Sequence, residues 1–136
     1  MRSGSPPEFF IDRSLGRHIV PDALRAAGAT AHTMADIYGE RMGQGLSDEE
    51  WLRDAGRQGW VVLMKDAKVR HRPAQRWAIE TYAVRAFVVT NANLTGAAQA
   101  ERLVSNLNRI ARFAEHPGPY ICGVYSDSVR LLWPTP

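Results

Sequence analysis

The sequence lacks a second cysteine: Cys122 stands alone among 136 residues, so no intrachain disulfide can form. That fits a reducing compartment. Cys122 lies in the apolar run PYICGVY and reads as a small buried hydrophobe rather than a nucleophile. No apolar run reaches the roughly 18 residues needed to span a bilayer, and the start, MRSGSPPEFF, has no signal-peptide core. The expectation is a cytoplasmic protein without membrane contact, with residues 1–6 as a loose tail before a single domain at 7–136. The four histidines, His18, His32, His71 and His116, have no metal-type spacing, which argues against zinc. Repeats, low-complexity tracts and internal linkers are also missing. Hydrophobic content of 45% and charged content of 23% are ordinary for a globular domain and exclude wholesale disorder.

The chain does have a concentrated charge. Of its 17 Lys and Arg and 14 Asp and Glu, five and one fall between Lys65 and Arg76, leaving 12 and 13 elsewhere. The net charge of +3 therefore comes from one short segment, which suits a local anionic partner or a solvated charged loop.

Hydrophobic patterning alternates between short apolar runs and helical segments. EFFID reads as a first strand ending at Asp12, VPDALRAAG as a helix stopped by Gly28, TAHTMADI as a second strand and YGERMGQGL as a loop. SDEEWLRDAGRQG carries a capping box, Ser47 with Glu50, and should end at Gly56 or Gly59. WVVLMKD is apolar on both faces, as a strand inside a parallel sheet would be. PAQRWAIETYA is a helix with Pro73 in its first turn, AFVVT a further strand, and TGAAQAERLVSNLNRIARFAEH one long amphipathic helix. PYICGVYSDSVRLLW closes the chain as strand, turn and strand. Trp51, Trp60 and Trp77 are expected in the core, with base stacking by Trp77 as the alternative. This order implies an α/β fold, a three-layer α/β/α sandwich around a mainly parallel sheet.

Parallel sheets bind ligands outside the carboxyl ends of their strands. Asp12 and Asp66 each end a strand there, and Asp48 and Glu49 open the helix after Ser47. Each has a plain structural reading: a turn cap for Asp12, an ion pair with Lys65 or Lys68 for Asp66, and the helix dipole for Asp48 and Glu49. If the acids converge, oxygen ligands without His or Cys indicate a hard cation such as Mg2+. Such a site hydrolyses or transfers phosphate esters. The cations beside it would then hold the substrate's flanking phosphates: Lys65, Lys68, Arg70 and Arg72, with Arg13 following Asp12.

FFIDRSLG, SDEEWL and VVLMKDAKVR, in this order and spacing, resemble the PIN-domain ribonucleases, and among them the VapC-type toxins of bacterial toxin–antitoxin pairs. The resemblance spans roughly Pro7 to Pro134. It implies a Mg2+- or Mn2+-dependent endoribonuclease with Asp12, Asp48, Glu49 and Asp66 as catalytic acids and Asp12, Asp48 and Asp66 as metal ligands. It also implies a cognate antitoxin that covers the site and joins it in binding promoter DNA, and a possible homodimer. VVTNANL departs from the family pattern, with Asn91 and Asn93 where many members carry a further acid, which puts a second metal in doubt. Two other readings stand beside this one. A catalytically inactive binding module would use the acids only as caps. A receiver-like phosphoacceptor domain would want a lysine after the fifth strand, and no lysine follows Lys68.

Overall fold

The computed structural model describes residues 6–65, 67–91 and 93–135, without the side chains of Gln44 and Ala67. Asp66, one of the expected metal ligands, and residues 1–5 of the expected tail lie outside the described residues.

Six strands form one sheet in the order β2-β1-β3-β4-β5-β6. They are β1 (Glu8–Ile11), β2 (Thr30–Thr33), β3 (Val61–Met64), β4 (Arg85–Val89), β5 (Tyr120–Val124) and β6 (Val129–Trp133). The first five run parallel, and β6 returns antiparallel beside β5. The helices are α1 (Ile19–Ala26), α2 (Met34–Tyr38), α3 (Glu40–Gly45), α4 (Asp48–Gln58), α5 (Pro73–Thr81), α6 (Gly96–Ser105) and α7 (Leu107–Phe113).

Strand residues alternate between two cores. Phe9, Ile11, Leu63, Phe87 and Cys122 pack with Val20 and Leu24 of α1, Leu103 of α6 and Ile110 of α7. Phe10, Val62, Val88 and Ile121 pack on the other face with Trp51, Leu52 and Ala55 of α4 and Ala78 and Ile79 of α5. Period-two alternation in the strands and period-3.6 stripes on the helices produce the expected three-layer sandwich.

The element boundaries differ from expectation in three places. The second strand stops at Thr33, because the Thr33 hydroxyl accepts from Asp36 N at 3.1 Å while the Asp36 carboxylate accepts from Thr33 N at 3.0 Å. That capping box starts α2 where the apolar residues alone read as strand. The glycine-bearing stretch expected as a loop holds α3. The long C-terminal helix is divided at Asn106, whose buried side chain donates to the carbonyls of Arg102, Tyr125 and Ser126 and so ties the break to the β5–β6 turn.

Of the tryptophans, Trp51 is buried, Trp60 is half-buried and stacks on Phe10, and Trp77 is exposed. Trp77 is therefore not a core residue. It lies on the outer face of α5 with Tyr82 edge-on to its ring.

Candidate active site

The chain leaves β1 for β2 on one side and later returns to place β3 on the other. This reversal opens a crevice at the carboxyl ends of β1 and β3, the place where open α/β sheets bind ligands. Asp12 is the first residue beyond β1, and its backbone N–H donates to Leu63 of β3 at 3.0 Å. The residue is only 9% exposed, so a carboxylate is being kept in a nearly dry place. The Ser14 hydroxyl donates to Asp12 Oδ2 at 2.5 Å and accepts from Lys65 N at 3.3 Å, bridging the ends of the two strands.

Burial pushes the Asp12 carboxyl above the ordinary aspartate value. The Ser14 hydroxyl bond opposes that rise, and the negative charge of Asp48 adds to it. The structure thus brings Asp12 and Asp48 within electrostatic reach of each other.

Asp48 reaches this position because of its helix start. Ser47 Oγ accepts from Glu50 N at 3.3 Å, and the Glu50 carboxylate accepts from Ser47 N at 3.1 Å, fixing the first turn of α4. Trp51 Nε1 donates to Asp48 Oδ1 at 2.9 Å, and Gln75 Nε2 donates to Asp48 Oδ2. Glu49 is exposed and shares an open hollow of about 390 Å³ with Asp48, His71, Arg72 and Gln75. A second hollow of about 340 Å³ lies over the crevice itself, between Ser14, Lys65 and the start of α6 at Gly96.

The cations expected to hold substrate are differently placed. Arg13 donates to the carbonyls of Gly43 and Leu46, both at 3.0 Å, and lies 4.0 Å from Asp48 Oδ1. It ties the segment before α4 to the end of β1. Lys65 lines the crevice, and Arg72 lines the hollow beside Asp48. Arg70 Nε donates to His71 Nε2 at 3.1 Å, and Lys68 is exposed in the 3-10 turn before α5. Asn91 is exposed, and its Oδ1 accepts from Asn93 N at 3.0 Å, a local turn bond.

A nearly buried carboxylate with a second, half-exposed one in electrostatic reach is a donor set for a hard divalent ion, and Mg2+ needs only one or two carboxylates because it keeps several waters. Asp12 and Asp48 fit that requirement. Among the described residues, no group of three His, Cys, Asp or Glu side chains gathers for a metal.

Ser14 and Gln75 were not anticipated from the sequence. Ser14 had a signal, the Asp-x-Ser spacing of a side-chain-bonded turn. Gln75 had none, since its contact with Asp48 joins residues 27 apart.

Residues 7–91 match the family described as "PIN like domain". The chain is 39% identical over 124 residues to the protein of Mycobacterium tuberculosis (strain ATCC 25618 / H37Rv) named "Putative ribonuclease VapC45", covering 90% of each. No solved structure matches the chain. A family match over more than half of the chain, a relative aligned along nearly all of it and a six-stranded α/β/α sandwich agree: the chain belongs to the PIN-like domain family and is of the VapC type.

Proposed function

We propose that this chain is a metal-dependent endoribonuclease, the toxin of a toxin–antitoxin pair. The observation that carries the reading is the buried Asp12 carboxylate at the sheet's switch point, within electrostatic reach of Asp48. The relative named as a ribonuclease supports the substrate class. Asp12 and Asp48 would hold Mg2+ or Mn2+, joined by Asp66, with Glu49 at the same helix start. The bound ion supplies activated water and offsets charge on the scissile phosphate. Ser14 orients Asp12, and Arg13 holds the approach of α4. Lys65, Lys68, Arg70 and Arg72 attract the RNA backbone along the crevice and the adjoining hollow. The same reading implies a cognate antitoxin, promoter DNA bound only with it, a homodimer and a cytoplasmic setting. Among the described residues, no helix is long and apolar enough to cross a membrane.

The test is Asp12→Asn. Without metal, this variant should melt at or above the wild-type temperature, because it removes a buried charge that burial disfavours. It should lose Mn2+ binding in calorimetry and cleavage of a structured RNA pool. Wild-type Mn2+ binding or cleavage by the folded variant would remove Asp12 from the site. An inactive binding module gains support from Asn91 and Asn93 standing in place of an acid. It predicts wild-type protein that binds RNA and leaves it intact at saturating Mn2+.

A further inference from the structure

We propose that Gln75 is a positioning residue whose side-chain amide holds the Asp48 carboxylate in the orientation that binds metal. The inference rests on the metallonuclease reading above and concerns how that site is built.

The Asp48 carboxylate receives one neutral donor on each oxygen, Trp51 Nε1 on Oδ1 and Gln75 Nε2 on Oδ2. Two donors from different directions fix the carboxylate plane. Each oxygen keeps lone-pair capacity for a cation, because an ionised carboxylate offers about four acceptor sites in all. A neutral donor at position 75 also adds no second cation beside Asp48, whose Oδ1 already lies 4.0 Å from Arg13. Metal ligands elsewhere are oriented by such outer hydrogen bonds.

The other end of the Gln75 amide shows what the arrangement costs. Gln75 Oε1 is buried and finds no hydrogen-bond partner among the described residues. A buried carbonyl oxygen without a donor is unfavourable. Turning the amide over would aim that oxygen at an acceptor-only carboxylate, so the donor to Asp48 sets the orientation that is kept.

A simple clip between two helices explains this less well. Helices α4 and α5 already pack through Trp51, Leu52, Ala55, Ala78 and Ile79, and at Gly56 the α4 backbone meets the Tyr82 backbone. The polar bond is added at the helix starts, on Asp48, whose charge acts on Asp12.

The experiment compares wild type with Gln75→Met, which keeps length and loses the donor, and Gln75→Asn, which keeps an amide and loses reach. Asp12→Asn serves as the metal-site control. Each protein is melted in EDTA, titrated calorimetrically with Mn2+ and assayed for RNA cleavage over a range of Mn2+ concentrations. Both Gln75 variants should melt within a few degrees of wild type, bind Mn2+ about 10- to 100-fold more weakly, and recover cleavage in part at high Mn2+. Wild-type Mn2+ affinity in either folded variant would overturn the proposal. So would an affinity loss that only tracks a lost folded fraction, which marks a structural clip. If wild type itself neither binds Mn2+ nor cuts RNA, the metallonuclease reading and the Gln75 role fall together. Failure of Gln75 alone leaves wild-type binding and the Asp12→Asn loss intact.

Discussion

A Cβ added at Gly56 would lie 2.7 Å from Tyr82 Cβ and closer still to the Tyr82 carbonyl oxygen. Two effects of Gly56→Ala oppose each other. Alanine favours the helix interior by about 1 kcal/mol, while forcing α4 from α5 costs about 1–3 kcal/mol, as overpacking usually does. The contact is with backbone that cannot rotate away, so the second effect should win. The expected result is a lower midpoint in urea, and an equal or higher midpoint would show that the helices have room. Cys122 is crowded in another sense, since it is fully buried and burial pushes its thiol up to about 12. It should react with a thiol reagent at neutral pH only as fast as the protein unfolds, and rapid labelling of the native protein would contradict that burial. Cys122 was legible in the sequence because its neighbours in PYICGVY are apolar. Asp12 was legible because a strand ends at it. Ser14 and Gln75 act through hydrogen bonds that folding creates between distant segments, and Gln75 carries no periodicity or motif that marks it.

Among the elements, α4 carries its own instructions, and of the two glycines the sequence offers as its end, Gly59 is the one used. Ser47 and Glu50 cap it, and Gly59 closes it in the left-handed conformation at φ 73°. Ser47→Ala should cost about 1 kcal/mol, within the range for lost N-caps, measured by urea unfolding. It should also change the acid limb of stability. Bonds from the Ser47 backbone N–H and hydroxyl hold Glu50 below the ordinary glutamate value. A lowered carboxyl contributes stability that is present above its unfolded-state value and lost as pH falls through the lowered folded one. Ser47→Ala should therefore show a flatter fall in stability below the ordinary glutamate range. An acid limb parallel to wild type would mean that the Ser47 backbone N–H, which alanine keeps, holds Glu50 without the hydroxyl. The same kind of signal stands at Thr33 and Asp36, where the β-propensity of Thr30–Thr33 masks it in the sequence. Asn106 shows the complementary limit. Its neighbours keep helical spacing on both sides, and the break follows from carbonyls that the β5–β6 turn brings to it.

At the scale of the whole molecule, charge and topology meet at one edge of the sheet. The alternation of apolar runs made the layered parallel sheet legible. The strand order, which places β1 between β2 and β3, comes from packing and creates the crevice. The segment from Lys65 to Arg76 crosses the same edge, with Lys65 in the crevice and Arg72 in the hollow beside Asp48. If it carries RNA phosphates, its contribution is electrostatic and releases counterions, so binding should weaken as salt rises. Arg70→Glu with Arg72→Glu removes two such contacts and adds repulsion. The double variant should bind a non-cleaved RNA much more weakly at low salt. The slope of log K against log salt should fall by about one to two, since each single-strand phosphate contact is worth roughly 0.7. Mn2+ affinity should stay near wild type, because in this reading the two arginines bind phosphate while the acids bind the ion. That separates the segment's role from the metal site's. Fluorescence titrations of RNA at four salt concentrations, paired with Mn2+ calorimetry, measure both. A double variant with unchanged affinity and slope would make the cationic segment a solvated loop or a contact for a protein partner. A double variant that lost Mn2+ binding would place these arginines in the support of the acidic centre rather than along the path of the RNA.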